Sequence, residues 1–400
     1  MRTVAVVGAS LAGLSAVRAL RAEGYDGRVV VIGAEEHQPY DRPPLSKEFL
    51  TGKADEDQLA LSDGEETAEL DAEWLLGVSA TGLDSRGRTV VLADGSTVTA
   101  DGVVIATGAS ARRLPGTQPR GVRVLRTLDD ARALRDELAV GQRQIVVVGG
   151  GFIGAETAAS CAALGHEVTV VEAAPLPLLP QLGSTMAEFC AGLHARGGVR
   201  LICGRQVAGL RDDGRGAVTG VDLSDGSTLP ADLVVVGIGA APNTAWLSGS
   251  SLAVDDGVLC DDGCVTALPQ VVAVGDVARV GGVRQEHWTS ATQQPAVAVR
   301  NLLAGRTLEH ARASPYFWSD QYGARIQFAG RREGGESVRI AEGSLEEGSF
   351  LALFEAGARV GGGTGTGRGG GAEGERRVTA ALAVNRPRPF MRARKALSAP

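Results

Sequence analysis

The chain has 400 residues, enough for two to three domains of ordinary size, and 44 % of them are hydrophobic, enough for sizeable cores. Its 56 glycines follow no Gly-X-Y period, which excludes a collagenous chain, and a net charge of −7 gives no general basic field, so nucleic acid is not an expected partner. Five cysteines (Cys161, Cys190, Cys203, Cys260, Cys264) are odd in number and form no CxxC set, so no metal site or disulfide framework is expected; no uncharged stretch reaches the ~18 residues of a membrane span, and a reducing, cytoplasmic setting is expected.

Thr3 to Val7 is a short run rich in β-branched residues, and Leu11 to Arg21 follows with helical spacing. The turn between them is Gly8-Ala9-Ser10-Leu11-Ala12-Gly13, with Ser10 where a middle glycine is usual. A second buried strand, Arg28 to Ile32, leads to Glu35, 22 residues beyond Gly13. Gly102 to Ile105 is another apolar strand and runs into Ala106-Thr107-Gly108. The pattern of strand, turn, helix and strand then returns between Gln144 and Glu172, through Ile145 to Val148, the turn Gly149-Gly150-Gly151-Phe152-Ile153-Gly154, a helix to Leu164 and a strand Glu167 to Val171. Leu233 to Val236 leads into Gly237-Ile238-Gly239, and Val271 to Val274 leads into Gly275-Asp276. Such continuous apolar runs suit parallel strands buried on both faces.

Trp288 to Leu302 reads as a helix, and from Tyr316 onward the texture changes to alternating strands at Arg325 to Phe328, Phe350 to Phe354 and Val378 to Val384. Between the last two, eight of the eleven residues from Gly361 to Gly371 are glycine, which reads as a flexible hairpin insert. After Glu375 come seven basic residues (Arg376, Arg377, Arg386, Arg388, Arg392, Arg394, Lys395) and no acid, in most chains a solvated tail and in some a docking patch. The expected fold is α/β: two Rossmann-like dinucleotide-binding domains and an α+β C-terminal domain with an antiparallel sheet. The expected boundaries are 1–112 with 236–312, then 113–235, then 313–400 carrying the insert 361–371.

The second turn has the full chemistry of a dinucleotide site. A G-x-G-x-x-G turn lets backbone N–H groups at a helix N-terminus approach a pyrophosphate, and an acid about 20 residues on takes the ribose hydroxyls. Gly149, Gly151 and Gly154, with Phe152 and Ile153 opening the helix, meet this pattern, and Glu172 stands 18 residues after Gly154. An acid there, with no arginine directly after it, repels a 2′-phosphate and favours NADH over NADPH.

The first βαβ unit, Ala106-Thr107-Gly108 and the segment Thr266 to Asp276 together resemble the two-dinucleotide-domain flavoproteins of the glutathione-reductase structural class. Longer segments narrow the resemblance: Pro39-Tyr40-Asp41-Arg42-Pro43-Pro44-Leu45-Ser46-Lys47, Arg284-Gln285-Glu286-His287-Trp288, Pro315-Tyr316-Phe317-Trp318-Ser319-Asp320-Gln321 and Val384-Asn385-Arg386-Pro387-Arg388. They look like the FAD-dependent NADH:ferredoxin reductases, the putidaredoxin-reductase-like and biphenyl-dioxygenase-reductase-like proteins, over essentially the whole chain.

That resemblance implies FAD and NADH as cofactors and a [2Fe-2S] ferredoxin as acceptor, which in turn supplies a cytochrome P450 or Rieske-type oxygenase. Gly8, Ser10, Leu11, Ala12 and Gly13 would hold the FAD pyrophosphate, and Glu35 the adenosine ribose. Asp276, with Gly275, would hold the ribityl chain, Arg42 and Arg112 would anchor the flavin nucleotide, and Ala106, Thr107, Gly108 and Gly239 complete the cofactor-binding set. Lys47 is implied to lie near flavin N5, paired with Glu156, and Trp288 at the flavin face away from NADH. Only three lysines occur against 37 arginines, so a lysine inside the proline-rich loop stands out.

Two departures from the family pattern, the glycine-rich insert and Pro389 where the family usually has Asp, bear on partner docking more than on flavin chemistry. His287 and His166 carry no assigned role, because neither has a Ser, Cys or metal-ligand companion at suitable spacing; the Cys260/Cys264 pair carries none, because thiol–disulfide reductases of the resembled class have their reactive cysteines beside the flavin and the proline-rich loop here holds no cysteine. Rival readings are an NADH–flavin oxidoreductase with another acceptor (rubredoxin, quinone, O2) and an apoptosis-inducing-factor-like redox-switched binding protein. The acidic net charge and the start of the chain two residues before the first strand speak against the second.

Overall fold

A computed structural model describes residues 1–84, 88–311, 315–357 and 376–398 of the chain; the glycine-rich run 361–371 lies outside them. The chain forms two compact units, one of Met1–Pro115, Val124–Glu137 and Ile238–Ala313, the other of Gly116–Arg123, Leu138–Gly237 and Ser314–Pro400.

The first unit is built on a parallel sheet with strand order Val271–Ala273, Gly102–Ile105, Thr3–Val7, Arg28–Ile32, Glu73–Leu75. Side chains alternate across it. Val4, Val6, Val104 and Val272 face the helices Leu11–Ala22 and Trp288–Ala304 through Leu14, Val17, Leu20, Ala298 and Leu302. Ala5, Val7, Ile105 and Ala273 face the other way, onto Leu83, Val90 and Leu92 of a small antiparallel sheet. Both faces are covered, which is why these strands read as unbroken apolar runs.

In the second unit, four strands of the first sheet run parallel in the order Arg200–Cys203, Glu167–Glu172, Gln144–Val148, Leu233–Val236. The residues from Tyr316 onward form an antiparallel sheet ordered Tyr316–Gln321, Ala324–Gly330, Arg377–Val384, Ser349–Ala356, Ser337–Ser344. One face, with Phe328, Phe350, Phe354 and Leu382, packs on Leu182, Met186, Phe189 and Leu193 of the helix Leu179–Arg196. The opposite face, with Leu351, Ala381 and Ala383, is covered by Phe390 of the helix Pro387–Leu397.

That last helix replaces the solvated tail which the run of basic residues suggests. Pro387 fits its first turn, where a missing N–H costs nothing, and the fully buried Phe390 pins it to the sheet. Pro389 also falls in that first turn.

Candidate functional site

In the first unit the strand Thr3–Val7 ends at Gly8, whose φ of 121° turns the chain into the helix Leu11–Ala22. The helix crosses so close to the strand end that a Cβ on Gly13 would lie 1.8 Å from the Gly8 carbonyl oxygen. Ser10 takes the N-cap position in an extended conformation, but its side chain does not cap, and no acid occupies the first turn. The hydroxyl oxygen accepts instead from Arg42 Nε at 3.3 Å.

Arg42 is the hub of a larger network. Its Nη2 donates to Glu35 Oε1 at 2.6 Å and its Nη1 to the Arg126 carbonyl at 2.7 Å. Tyr40 donates its hydroxyl to the other Glu35 oxygen at 2.5 Å and accepts from the Leu128 amide at 2.9 Å. Arg126 donates to Asp276 Oδ2 at 2.8 Å and to the Ala109 carbonyl at 2.9 Å. The structure therefore brings Ser10, Glu35, Arg42 and Asp276 into one connected set, linked by Arg126.

Gly275 sits beside the same turn: a Cβ on it would meet that of Ala12 at 3.0 Å, and its amide donates to Gln294 of the helix Trp288–Ala304. Thr107 exchanges hydrogen bonds with Asn243, and Arg112 donates its amide to Gly239 O at 2.9 Å, fixing the paired strands Ala109–Ala111 and Ala240–Pro242. Lys47 closes the short 3-10 turn Pro43–Ser46 and is partly buried. Trp288 is exposed and donates its indole N–H to Asp41 at 3.0 Å. Burial raises the Asp41 carboxyl above its ordinary value, and the Trp288 donor and the Lys47 charge pull it back only in part. Burial likewise lowers the His287 imidazole, against the pull of Asp276 and Glu286.

The second unit repeats the device with the full glycine pattern. A Cβ on Gly154 would lie 2.0 Å from Gly149 O, while one on Gly151, at the N-cap of the helix Phe152–Ala163, would meet nothing within 4 Å. Again no acid occupies the first turn. Glu172, at the end of its strand, accepts from the Gly150 amide at 2.7 Å and the Ala174 amide at 2.8 Å, so its carboxylate already braces the turn. On the same helix Glu156 is 3 % exposed and accepts from Ser319 Oγ at 2.7 Å and the Asp320 amide at 3.3 Å. Phe152 packs on Phe317 with ring centroids 4.6 Å apart, and the exposed Ile153 opens the helix beside it.

Lys47 and Trp288 thus belong to the first unit, Glu156 to the second. Arg126 and Ser319 escape sequence reasoning. Arg126 is 150 residues from its partner and lies in no glycine motif; Ser319 is 163 residues from Glu156. Ser319 stands inside the segment Pro315 to Gln321, but nothing in the sequence says which face of the strand meets the helix.

These residues suit the two nucleotides. Two helix N-termini carry uncompensated amide dipoles, each behind a turn in which a side chain would collide with backbone, and each is followed by a carboxylate with spare acceptor sites for ribose hydroxyls. Burial disfavours the thiolate that thiol exchange needs: it raises Cys203 and pushes Cys161, Cys190 and Cys260 up to about 12. Among the described residues no group of three or more His, Cys, Asp or Glu side chains could hold a metal ion, and no helix is long and apolar enough to cross a membrane.

Residues 2–295 match the pyridine nucleotide-disulphide oxidoreductase family, and residues 316–371 match a reductase C-terminal domain. The chain is 34 % identical to putidaredoxin reductase of Pseudomonas putida, over 89 % of this chain and 86 % of that one. It is 38 % identical to the ferredoxin–NAD(+) reductase subunit of the benzene 1,2-dioxygenase system of Pseudomonas putida, over 87 % of this chain and 85 % of the relative. A crystal structure of a covalent putidaredoxin reductase–putidaredoxin complex superposes with a TM-score of 0.89 at 32 % identity, covering 99 % of this chain and 93 % of the other. With the nucleotide turns, the C-terminal sheet and these relatives in agreement, the chain belongs to the pyridine nucleotide-disulphide oxidoreductase family, in its ferredoxin reductase branch.

Proposed function

We propose that this protein is an FAD-dependent NADH:ferredoxin reductase that passes electrons to a [2Fe-2S] ferredoxin serving a cytochrome P450 or Rieske-type oxygenase. The observation that carries the reading is the doubled device: two strand–turn–helix units, each with its own acid, in a chain whose thiols are buried or raised. FAD, when bound, supplies the conversion of a two-electron hydride into single electrons; the protein binds, orients and tunes.

Residues 1–112 and 236–312 would form the FAD domain, 113–235 the NADH domain and 313–400 the C-terminal reductase domain. Within the first, the turn Gly8 to Gly13 would take the FAD pyrophosphate and Glu35 the adenosine ribose. Arg42, Arg112 and Asp276, joined by Arg126, would fix the rest of the nucleotide. In the second, Gly149, Gly151, Phe152, Ile153 and Gly154 would take the NADH pyrophosphate and Glu172 its ribose. Lys47, Glu156 and Trp288 are assigned to the redox step. Unbridged thiols accord with a cytoplasmic location.

The test is anaerobic reduction of cytochrome c by NADH and the FAD-loaded protein, with and without an added [2Fe-2S] ferredoxin. Ferredoxin should accelerate it severalfold at low ionic strength. No acceleration, or turnover in air that yields chiefly hydrogen peroxide, would overturn the assignment.

A further inference from the structure

The helix Phe152–Ala163 and the strand Tyr316–Gln321, both in the second unit, meet through two matched periodicities. Phe152 and Glu156 are four residues apart and so lie one above the other on a single helix face. Phe317, Ser319 and Gln321 alternate along the strand and so share one face of the sheet. Phe317 meets Phe152, and Ser319 meets Glu156.

The polar half of this contact has a fixed direction. Gln321 Nε2 donates to Ser319 Oγ at 2.9 Å, which leaves the single serine proton for Glu156 Oε1 at 2.7 Å. Ser319 is fully buried, and Gln321 is 1 % exposed. Among the described residues the side-chain oxygen of Gln321 has no hydrogen-bond partner, an unfavourable state for a buried amide. Turning that amide over would direct the serine proton to Gln321 and withdraw it from the carboxylate. The observed arrangement therefore leaves one acceptor unsatisfied and keeps two donors, Ser319 Oγ–H and the Asp320 amide, on one oxygen of Glu156.

We propose that Ser319, itself held by Gln321, is a positioning residue that fixes the Glu156 carboxylate for the hydride step, so that the C-terminal sheet contributes to a residue of the nucleotide-binding segment. This rests on the redox role assigned to Glu156 above. The chain Gln321 to Ser319 to Glu156 is a hydrogen-bond relay of orientation only, in which no proton or electron leaves the protein.

The experiment is a double-mutant cycle on the FAD-loaded protein with Ser319→Ala, Glu156→Gln and the pair, and with Gln321→Ala and Ser319→Thr alongside. Three quantities are measured: the single-turnover rate of flavin reduction at saturating NADH, the Kd of NAD+ by calorimetry, and the melting temperature. Loss of a hydrogen bond to a charged group should slow Ser319→Ala about tenfold. The Kd of NAD+ should change far less, and Gln321→Ala should show a smaller loss of the same kind. Ser319→Thr, which keeps the hydroxyl, should recover most of the rate. In the Glu156→Gln background the Ser319→Ala change should add nothing.

A full additional loss in that background, or an unaltered rate in Ser319→Ala, would refute the positioning role while leaving Glu156 in place. A wild-type rate in Glu156→Gln would instead remove Glu156 from the redox step, and the proposal with it. Melting temperatures that fall equally in Ser319→Ala and in the double variant, with rates unlinked, would mark the contact as structural only.

Discussion

The Glu172 carboxylate spends part of its hydrogen-bonding capacity on its own protein, since two of its acceptor sites take the Gly150 and Ala174 amides. It therefore shapes the turn, and in the proposed role it would also offer its remaining acceptor sites to a ribose. Glu172→Ala should weaken NADH by about 10- to 100-fold, the loss of one or two hydrogen bonds to a charged group. Bound FAD should be unchanged, as equilibrium titration and flavin absorbance would show; loss of flavin instead would mean the two nucleotide sites are exchanged. Arg126 makes the complementary case in the first unit. With Asp276 only 16 % exposed, Arg126→Ala leaves a carboxylate without its charge partner and frees the carbonyl of Ala109. Flavin content after gel filtration should fall sharply, and added FAD should restore it with a weakened Kd, while the NADH affinity stays near that of the wild type. The glycines and the two acids were legible because their spacing is local. Arg126 was not, because its meaning depends on a partner, Asp276, that lies 150 residues away in sequence and follows the edge strand Val271–Ala273 of the parallel sheet.

At the scale of elements, the turn after Tyr316–Gln321 is tied to the helix Leu179–Arg196 by a pair of the half-buried Tyr322 and the buried His194. Tyr322 and His194 Nδ1 are 2.7 Å apart, and burial pushes the imidazole down to about 4. The ring is neutral when folded, and the Tyr322 hydroxyl and Nδ1 share one hydrogen bond whose donor is set by the imidazole tautomer. The unfolded chain takes up a proton near the ordinary value of about 6.5 that the folded chain refuses until about 4. The contribution is therefore complete above about pH 6.5 and is lost as the pH falls towards 4, by about 3 kcal/mol in all. His194→Gln, which cannot titrate, should flatten the fall in melting temperature between pH 6.5 and 4.5 relative to the wild type; equal slopes would show that His194 is not the group responsible. Strands such as Thr3–Val7 and Gly102–Ile105 could be read from sequence because burial on both faces leaves an unbroken apolar run. The helix Pro387–Leu397 could not, because its apolar stripe is thin: the buried Phe390, with the partly buried Ala393 and Leu397, anchors an otherwise charged segment.

At the scale of the whole molecule, charge is unevenly shared. The chain carries −7 overall, yet the helix Pro387–Leu397 bears Arg388, Arg392, Arg394 and Lys395 without an acid. Part of this charge is engaged locally: Arg392 pairs with Glu342 at 2.9 Å, and Arg394 lies over the Tyr316 ring at 4.1 Å. Arg388 and Lys395 are exposed and bring positive charge to a surface set on a rigid sheet. An acidic ferredoxin would be repelled by the net charge at long range and drawn to this helix within a Debye length, about 8 Å at physiological salt. Steering of that kind acts on the association rate. Arg388→Glu with Lys395→Glu should therefore lower kcat/KM for ferredoxin about tenfold at low ionic strength, with the gap closing as salt rises. NADH-dependent reduction of ferricyanide, a small acceptor that needs no docking, should be unaffected. A gap that persists in high salt would mean that the pair acts by short-range contact, and no gap at all would move the docking surface off this helix.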